Sequence, residues 1–308
     1  MSLRSLNIPF IDFVSNRKYA MIFSTILLVV SIASIGFQGL KFGIDFTGGT
    51  LIELGYEKTA DLEDIRSKLI SANYKGTNVQ YFGSDTEVLI QLEPQAASSA
   101  QLSSSIIRML GDGLDVRRVE FVGPKVGEEL TNDGGLAMLY ALIGILIYVA
   151  FRFEYRFALG SIAALIHDVI ITLGVFSLLQ IEFDLTVLAA ILAVIGYSLN
   201  DTIVVFDRIR ENFLASRQVE PGSIINEALN QTLSRTLMTS LTTLLVLFAL
   251  FYLGGEVIHS FAGALLIGVV IGTYSSIYVA SSTILAMGIS KEDMLPSEKE
   301  KKEIDARP

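Results

Sequence analysis

A carboxylate stands inside a long apolar stretch of this chain, and its position is the first sign of chemistry. Asn200 and Asp201 interrupt a run that starts near Leu185, and mostly apolar residues resume over 202–206. In a membrane-spanning helix a charged side chain costs about 2.5 to 3.5 kcal/mol and usually faces the bundle interior with a partner. We therefore expect Asp201 to be held by a partner or used for a function.

Arg235 is the candidate counter-charge for Asp201. It lies at the start of the next apolar segment, which runs back through the membrane, and it shares a helical face with Thr239. If such a pair separated, the carboxylate could take up or lose a proton. A proton moving down the membrane potential supplies about 2.3 kcal/mol per 100 mV. The sequence therefore permits a proton-driven device built on Asp201 and Arg235.

Simpler roles are open on the sequence alone. Arg235 could reach lipid phosphate as a snorkelling anchor, and Asp201 could be a purely structural hydrogen-bonding group. His167 and Asp168, near the middle of another apolar segment, fit a neutral histidine, a local polar contact or a proton relay. The candidates for a polar seam through the bundle are Asn200, His167, Asp168 and Thr239.

A glycine-rich segment, FGIDFTGGT, follows the first apolar stretch and contains Gly43, Asp45, Gly48 and Gly49. On these residues alone it is a loop-to-strand turn whose backbone is free of obstruction by side chains at the glycines. A phosphate cradle is disfavoured, because no P-loop lysine follows and no helix opens behind the segment.

The composition places these groups in a membrane protein. Hydrophobic residues make up 51% of the 308 residues and charged residues only 18%, with a mean hydropathy of +0.55. The formal net charge is −9, and nucleic acid is not expected as a partner. The chain has no cysteine and two widely separated histidines, which excludes disulfides, thiolate chemistry and a histidine metal site. We predict no cofactor, no metal and no enzymatic activity.

Six segments have the length and hydropathy of membrane-spanning helices. They cover 19–37, 136–151, 160–179, 185–206, 237–253 and 261–287. The fourth must run past Asp201, because a helix from Leu185 to Leu199 would extend only about 22 Å. We predict a polytopic α-helical membrane protein divided into an N-terminal segment (1–18), a first span (19–37), an intervening domain (41–133), a bundle of spans two to six (136–287) and a tail (288–308).

Lysine and arginine residues near the span ends predict the orientation, because cytoplasmic loops carry an excess of them. They are Arg4, Arg17, Lys18, Arg152, Arg156, Arg208, Arg210, Arg217, Arg235, Lys291, Lys299, Lys301, Lys302 and Arg307. The opposite loops, 180–184 and 254–260, contain neither residue type. Both termini are therefore expected in the cytoplasm, and the 41–133 domain on the outer side.

The 41–133 domain shows a pattern of alternating strands and helices. Strands are predicted over 50–54, 79–82, 88–92 and 116–122, with one helix over 59–72 and a second opened by Ser98. The order strand, helix, strand, strand, helix, strand is typical of a ferredoxin-like α+β domain.

Five motifs in order along the chain together resemble the SecD/SecF family of bacterial protein-export membrane proteins, which belongs to the RND superfamily. They are FGIDFTGGT (42–50), AALIHDVIITLG (163–174), IGYSLNDTIVVFDRIREN (195–212), QTLSRTLMTS (231–240) and IGTYSSIYVAS (271–281). The similarity extends from Arg17 to Gly288, nearly the whole chain.

The resemblance implies a six-helix half of an RND-type bundle in the inner membrane, completed by SecD as a heterodimer partner and associated with the SecYEG translocon. It implies a periplasmic location for the 41–133 domain, and exported, unfolded preproteins as the substrate. It also implies use of the proton gradient, with Asp201 and Arg235 as the charged pair and a further aspartate from SecD. Partners would then include protons and membrane lipid.

Two other functions are compatible with the same residues. One is a half-size RND-type exporter of small molecules or lipids, although such an exporter would want about twelve helices and two large outer loops in one chain. The other is a scaffold subunit that is not energised.

Overall fold

The structure, a computed structural model, describes residues 10–74, 76–94, 99–111, 114–215 and 220–294. The predicted cap at Ser98, the loop residue Arg217 and the terminal segments 1–9 and 295–308 lie outside the described residues. In chain order the elements are α1 (Phe13–Gln38), β1 (Lys41–Phe42), α2 (Ile44–Thr47), β2 (Gly49–Gly55), α3 (Leu62–Ser71), β3 (Asn78–Phe82), β4 (Ser84–Leu92), α4 (Ser99–Leu110), β5 (Asp115–Val122), α5 (Pro124–Arg152), α6 (Tyr155–Leu179), β6 (Glu182–Phe183), α7 (Leu185–Ala215), α8 (Pro221–Leu253), α9 (Glu256–Ser275), a π-helical turn (Ser276–Ala280), α10 (Ser281–Ala286) and a 3-10 turn (Lys291–Met294).

Six helices in the described part of the chain are long and apolar enough to cross a membrane. They are α1, α5, α6, α7, α8 and the continuous stretch formed by α9, the π-helical turn and α10. The shortest has 25 residues, which at 1.5 Å per residue exceeds a hydrocarbon core of ~30 Å. The prediction of a polytopic six-helix membrane protein is confirmed.

Five of these helices begin before the apolar segments from which the spans were predicted, and α6 and α9 do so by five residues each. α1 begins at Phe13, capped by the Asp12 carboxylate, which accepts a hydrogen bond from the Ser15 N–H. α5 begins at Pro124 and α8 at Pro221, both more than ten residues ahead of the predicted starts. Proline suits the first helical position, since its missing N–H would have no intrahelical partner there. Hydropathy reports only the apolar part of a helix, and the turns that open α5 and α8 are rich in polar residues.

The domain between α1 and α5 has the predicted ferredoxin-like architecture. Its antiparallel sheet has the strand order β3-β4-β2-β5, with Ile52 of β2 opposite Ile90 of β4. Because β-strand side chains alternate between faces, Ile52 and Leu54 point to one face, where they pack with Ile65 and Leu69 of α3 and Ile106 of α4. The other face carries Leu51 and Leu89, which pack with Ile44 of α2.

Two glycines and a row of serines allow close helix packing in the bundle. The buried residues of α1 that face α6 include Ser24, Ser31 and Ser34, and the Ser34 and Ser177 hydroxyls lie 2.9 Å apart. A Cβ at Gly174 would lie 2.2 Å from the Cβ of Ser31, so the two backbones touch there. A Cβ at Gly268 of α9 would meet Val194 of α7 at 2.1 Å. Small residues of this kind let membrane helices approach closely.

Candidate functional site

Asp201 is buried within α7. The helix begins at Leu185, so the residue lies about 24 Å along it, in the second half of a span of ~30 Å. The side chain is 3% exposed, and its Oδ2 atom has no hydrogen-bond partner. A buried carboxylate oxygen without a donor is costly, and such an atom commonly marks a place that water, an ion or a proton reaches.

Arg235 lies on the neighbouring helix α8, but its side chain is on a face that this chain leaves exposed. Among the described residues it forms no ion pair with Asp201, although α7 and α8 pack against each other. The next residue, Thr236, is 1% exposed, and its hydroxyl has no hydrogen-bond partner either. Among the described residues, α7 and α8 thus each carry one buried, unpartnered oxygen, and the Arg235 side chain is exposed.

Both helices carry small or polar residues that this chain leaves exposed. On α7 these are Ala189, Ala193, Gly196 and Asn200, whose spacing puts them on one helix face, and on α8 they are Arg235 and Thr239. A Cβ at Gly196 would have no atom within 4 Å. Two of the predicted seam residues, Asn200 and Thr239, therefore belong to an outer face of the chain and not to its interior.

His167 and Asp168 form a separate buried cluster at the middle of α6, and they are 2% and 1% exposed. The His167 Nδ1 lies 2.9 Å from Asp168 Oδ1, and the His167 Nε2 lies 3.2 Å from the Ser24 hydroxyl of α1. Asp168 Oδ2 accepts hydrogen bonds from Ser198 of α7 at 2.5 Å and from Ser275 of α9 at 2.7 Å. Four helices meet at this carboxylate and its imidazole.

Sequence reasoning missed the serines of this cluster. Ser24, Ser198 and Ser275 are single hydroxyls in apolar segments, a pattern that is common and specifies no contact. Only knowledge of which helices are neighbours would have brought them together. The polar contact predicted at His167 and Asp168 is present, and it is wider than the two residues themselves.

The glycine-rich segment forms a joint between the ferredoxin-like domain and the bundle. β1 pairs in parallel with β6, and the Gly43 N–H donates to the Phe183 carbonyl at 2.9 Å. Asp45 Oδ2 accepts a hydrogen bond from the Leu185 N–H, at the first residue of α7, at 3.1 Å. This carboxylate therefore caps the helix that carries Asp201, and it lies where a negative charge favours the helix dipole.

The remaining two glycines of the segment are required by close backbone approach. Gly49 has φ +130°, and a Cβ there would lie 2.3 Å from the Leu92 carbonyl oxygen. Gly48 has φ +70°, and its backbone nitrogen would be 2.9 Å from a Cβ at Gly127 of α5. Only glycine adopts these conformations without strain and leaves room for the neighbouring chain.

A cleft of about 460 Å³ lies between the sheet of the ferredoxin-like domain and the adjacent ends of the bundle helices. Charged and polar residues line it, among them Lys41, Gln80, Arg118, Glu120, Glu182 and His259. Lys41 Nζ donates a hydrogen bond to Gln80 Oε1 at 2.7 Å. Burial raises the pKa of Glu182 above its ordinary value, and nearby Lys41 offsets that effect only in part.

Two family profiles match this sequence. The profile described as "Protein export membrane protein SecD/SecF, C-terminal" matches residues 103–290, and the "SecD/SecF GG Motif" matches residues 33–60. The second match contains the glycine-rich joint.

Named relatives match over almost the entire chain. Protein translocase subunit SecF of Vibrio alginolyticus is 54% identical over 97% of this chain and 97% of its own length. The SecF subunit of Pseudomonas aeruginosa is 46% identical over 99% of this chain and 100% of its own length.

Solved structures show the same architecture. SecDF from Thermus thermophilus, described as a translocon-associated membrane protein, matches with a TM-score of 0.84 and 40% identity over 92% of this chain. This chain spans 39% of the length of that protein. A second SecDF structure, in a super-membrane-facing form, matches with a TM-score of 0.67 and 37% identity over 97% of this chain, which spans 40% of it.

The relatives and the six helices identify a multi-pass inner-membrane component of protein export, and the SecDF neighbours support a SecD partner. The chain belongs to the SecD/SecF family and, within it, to the SecF subunits of the protein translocase.

Proposed function

We propose that this subunit, together with SecD, uses proton movement across the inner membrane to promote translocation of preproteins alongside SecYEG. The observation that supports it most strongly is the burial of Asp201 in a membrane-spanning helix with one carboxylate oxygen unpartnered. A carboxylate in that position is costly when ionised, whereas protonation removes the charge. A change of conformation that alters access to Asp201 would therefore be tied to uptake or release of a proton.

The energy available from such a step is sufficient to bias a conformational change. One proton moving through 100 mV supplies about 2.3 kcal/mol, which shifts a two-state equilibrium about 40-fold. Arg235, on the neighbouring helix, would favour the ionised form of Asp201 whenever the two approach. We thus propose that the distance between Asp201 and Arg235 changes as the protein works, and that the two do not form a permanent ion pair. It acts without enzymatic chemistry.

We propose that SecD covers the exposed face of α7 and α8. Ala189, Ala193 and Gly196 are small enough for a second helix to approach, and Arg235 and Thr239 are exposed polar residues of the neighbouring helix. Polar side chains in a spanning helix seek a protein or water environment, and lipid offers neither. With SecD in place, Arg235 and Asp201 would both be enclosed, and a carboxylate from SecD could join them.

The proposed orientation places the arginine-rich helix ends in the cytoplasm and the outer domain, with its cleft, in the periplasm. At one end of the bundle, Arg152 makes two hydrogen bonds of 2.7 Å to Asp207, and Arg156 pairs with Asp293 at 2.7 Å. The positive-inside tendency of inner-membrane proteins supports the assignment of this end to the cytoplasm.

The outer domain would respond to α7 through the glycine-rich joint. Because Asp45 caps the first residue of α7, a shift of that helix would act directly on the segment that enters β2. We propose that this joint transmits proton-linked movement of the bundle to the periplasmic domain, where the exported chain emerges.

Export in cells tests the proposal. Asp201→Asn and Arg235→Ala should each reduce gradient-dependent export of a secreted reporter while the complex with SecD still assembles. Asp207→Asn is the matched control, since it removes a carboxylate from the same helix at a partly exposed site paired with Arg152. Unchanged export in both test variants would instead favour a scaffold that is not energised.

A further inference from the structure

The cluster around His167 and Asp168 requires a definite number of hydrogens. A chain of four polar contacts leads away from the Asp168 carboxylate. The chain runs from Asp168 Oδ1 to His167 Nδ1 at 2.9 Å, from His167 Nε2 to the Ser24 hydroxyl at 3.2 Å, from Ser24 to the Tyr274 hydroxyl at 3.0 Å, and from Tyr274 to the Ala20 carbonyl at 2.6 Å. Each contact needs one hydrogen between its two atoms.

The last contact fixes the direction of the others. A backbone carbonyl only accepts, so the single hydroxyl hydrogen of Tyr274 points to Ala20. The Ser24 hydroxyl must then donate its one hydrogen to Tyr274, and it can only accept from His167. His167 Nε2 therefore carries a hydrogen.

The contact to Asp168 needs a further hydrogen on the other side of the ring. A neutral imidazole has one N–H, and in His167 that N–H already donates to Ser24. The contact between Nδ1 and Asp168 would then contain no hydrogen. Four contacts need four hydrogens, whereas Tyr274, Ser24 and a neutral His167 supply three. His167 and Asp168 together must therefore hold one proton in addition to the single hydrogen of a neutral imidazole.

The position of that proton follows from the other partners of Asp168. Its Oδ2 atom already accepts hydrogen bonds from Ser198 and Ser275, and two donors directed at one carboxyl group favour its ionised form. An imidazole is ordinarily the stronger base of the two groups. Tyr274 is another titratable side chain in contact with the His167 ring, and the two rings stack with 6.2 Å between their centroids. Its hydroxyl already donates its hydrogen to the Ala20 carbonyl.

We infer that His167 and Asp168 form a second proton-binding site of the bundle, distinct from Asp201, in which a doubly protonated imidazole faces an ionised carboxylate. The pair is neutral as a whole, as a site at the centre of a membrane-spanning bundle requires. Loss of its proton leaves one of the four contacts without a hydrogen and leaves a net negative charge among α1, α6, α7 and α9.

The site is positioned to communicate with Asp201. Ser198, which donates to Asp168, lies three residues before Asp201 on α7, and residues at this spacing are neighbours on one helix surface. On the opposite side, Ser275 immediately precedes the π-helical turn of 276–280. Departures of this type from the α-helix often occur at functional sites. The occupancy of the pair by its proton would therefore affect the packing of both helices.

Nitrogen NMR of the histidine ring tests the inference directly. The full chain, labelled with ¹⁵N-histidine and assembled with unlabelled SecD in lipid bilayers, has two histidines, and His259→Gln leaves only the signal of His167. We expect both ring nitrogens to carry hydrogen at neutral pH. A ring nitrogen without hydrogen would overturn the inference.

Two substitutions separate the two proton sites. Asp168→Asn removes the negative charge and should remove one of the two ring hydrogens of His167. Asp201→Asn, which neutralises the other buried aspartate of the bundle, should leave both. Retention of both hydrogens in Asp168→Asn, or loss of one in Asp201→Asn, would contradict the assignment. If Asp168→Asn does not fold, the number of hydrogens on the His167 ring, measured in the chain that retains Asp168, still tests the inference.

Discussion

The carboxylate of Asp45 accepts a hydrogen bond from the backbone N–H of Leu185, across 140 residues of sequence and at a distance of 3.1 Å. The first residue belongs to the segment that leads into the ferredoxin-like domain, and the second begins the helix that carries Asp201. The ferredoxin-like domain and the candidate proton site are therefore joined through one helix end.

Asp45→Ala should weaken this connection. Loss of a helix-capping side chain costs about 0.5 to 2 kcal/mol, and we expect a corresponding fall in the free energy of unfolding together with reduced export. Asp45→Asn keeps an oxygen acceptor and should lose less of both. Denaturant unfolding in detergent and the export assay measure the two effects. Equal behaviour of the two variants would show that the hydrogen bond to Leu185 is unimportant.

Gly49→Ala should be more damaging than a glycine replacement in a helix that has free space. At Gly49 a side chain meets the Leu92 carbonyl at 2.3 Å with φ +130°, and strained backbone of this kind costs about 1 to 3 kcal/mol. Gly36→Ala is the control, since a Cβ there has no atom within 4 Å and alanine favours a helix by about 0.5 to 1 kcal/mol. In thermal unfolding, Gly49→Ala should lower the melting temperature relative to the unmodified chain, and Gly36→Ala should raise it.

Gly196→Leu should prevent assembly with SecD and leave the fold of this chain intact. A Cβ at Gly196 touches nothing within the chain, so a larger side chain is tolerated until a second helix approaches. Gly144→Leu in α5 has the same free space and serves as the control. Co-purification with SecD should be lost for the first variant and kept for the second. Normal recovery of SecD with Gly196→Leu would place the partner on another face.

Glu182→Gln should stabilise the chain at neutral pH. The pKa of Glu182 is raised by burial above its ordinary value of 4.5, so the folded state binds its proton more tightly than the unfolded state does. The ionised side chain therefore costs stability increasingly as the pH rises from about 4.5 through the folded pKa. The gain in melting temperature should vanish at acidic pH, where glutamic acid is neutral in both states.

Glu120→Gln is the control for that pH dependence, since it removes the same charge from an exposed strand lining the same cleft. A gain for Glu182→Gln that is the same at acidic and neutral pH would mean that burial of the charge is not its cause.

Hydropathy and strand alternation predicted much of this architecture. The six helices follow from the length of their apolar segments, and the ferredoxin-like domain from the order of its elements. The starts of α5 and α8 did not follow, because the turns opened by Pro124 and Pro221 are polar. Which helix faces meet depends on packing. For that reason the sequence placed Asn200 and Thr239 in an inner seam, and it did not reveal that Ser198 and Ser275 converge on Asp168.

Proton movement through Asp201 can be measured in lipid vesicles that contain the purified complex with SecD. With a proton gradient and a pH-sensitive dye inside, the unmodified complex should conduct protons faster than protein-free vesicles, and Asp207→Asn should behave in the same way. Asp201→Asn should fall to the level of protein-free vesicles. Proton conduction by Asp201→Asn at the rate of the unmodified complex would contradict the proposed function.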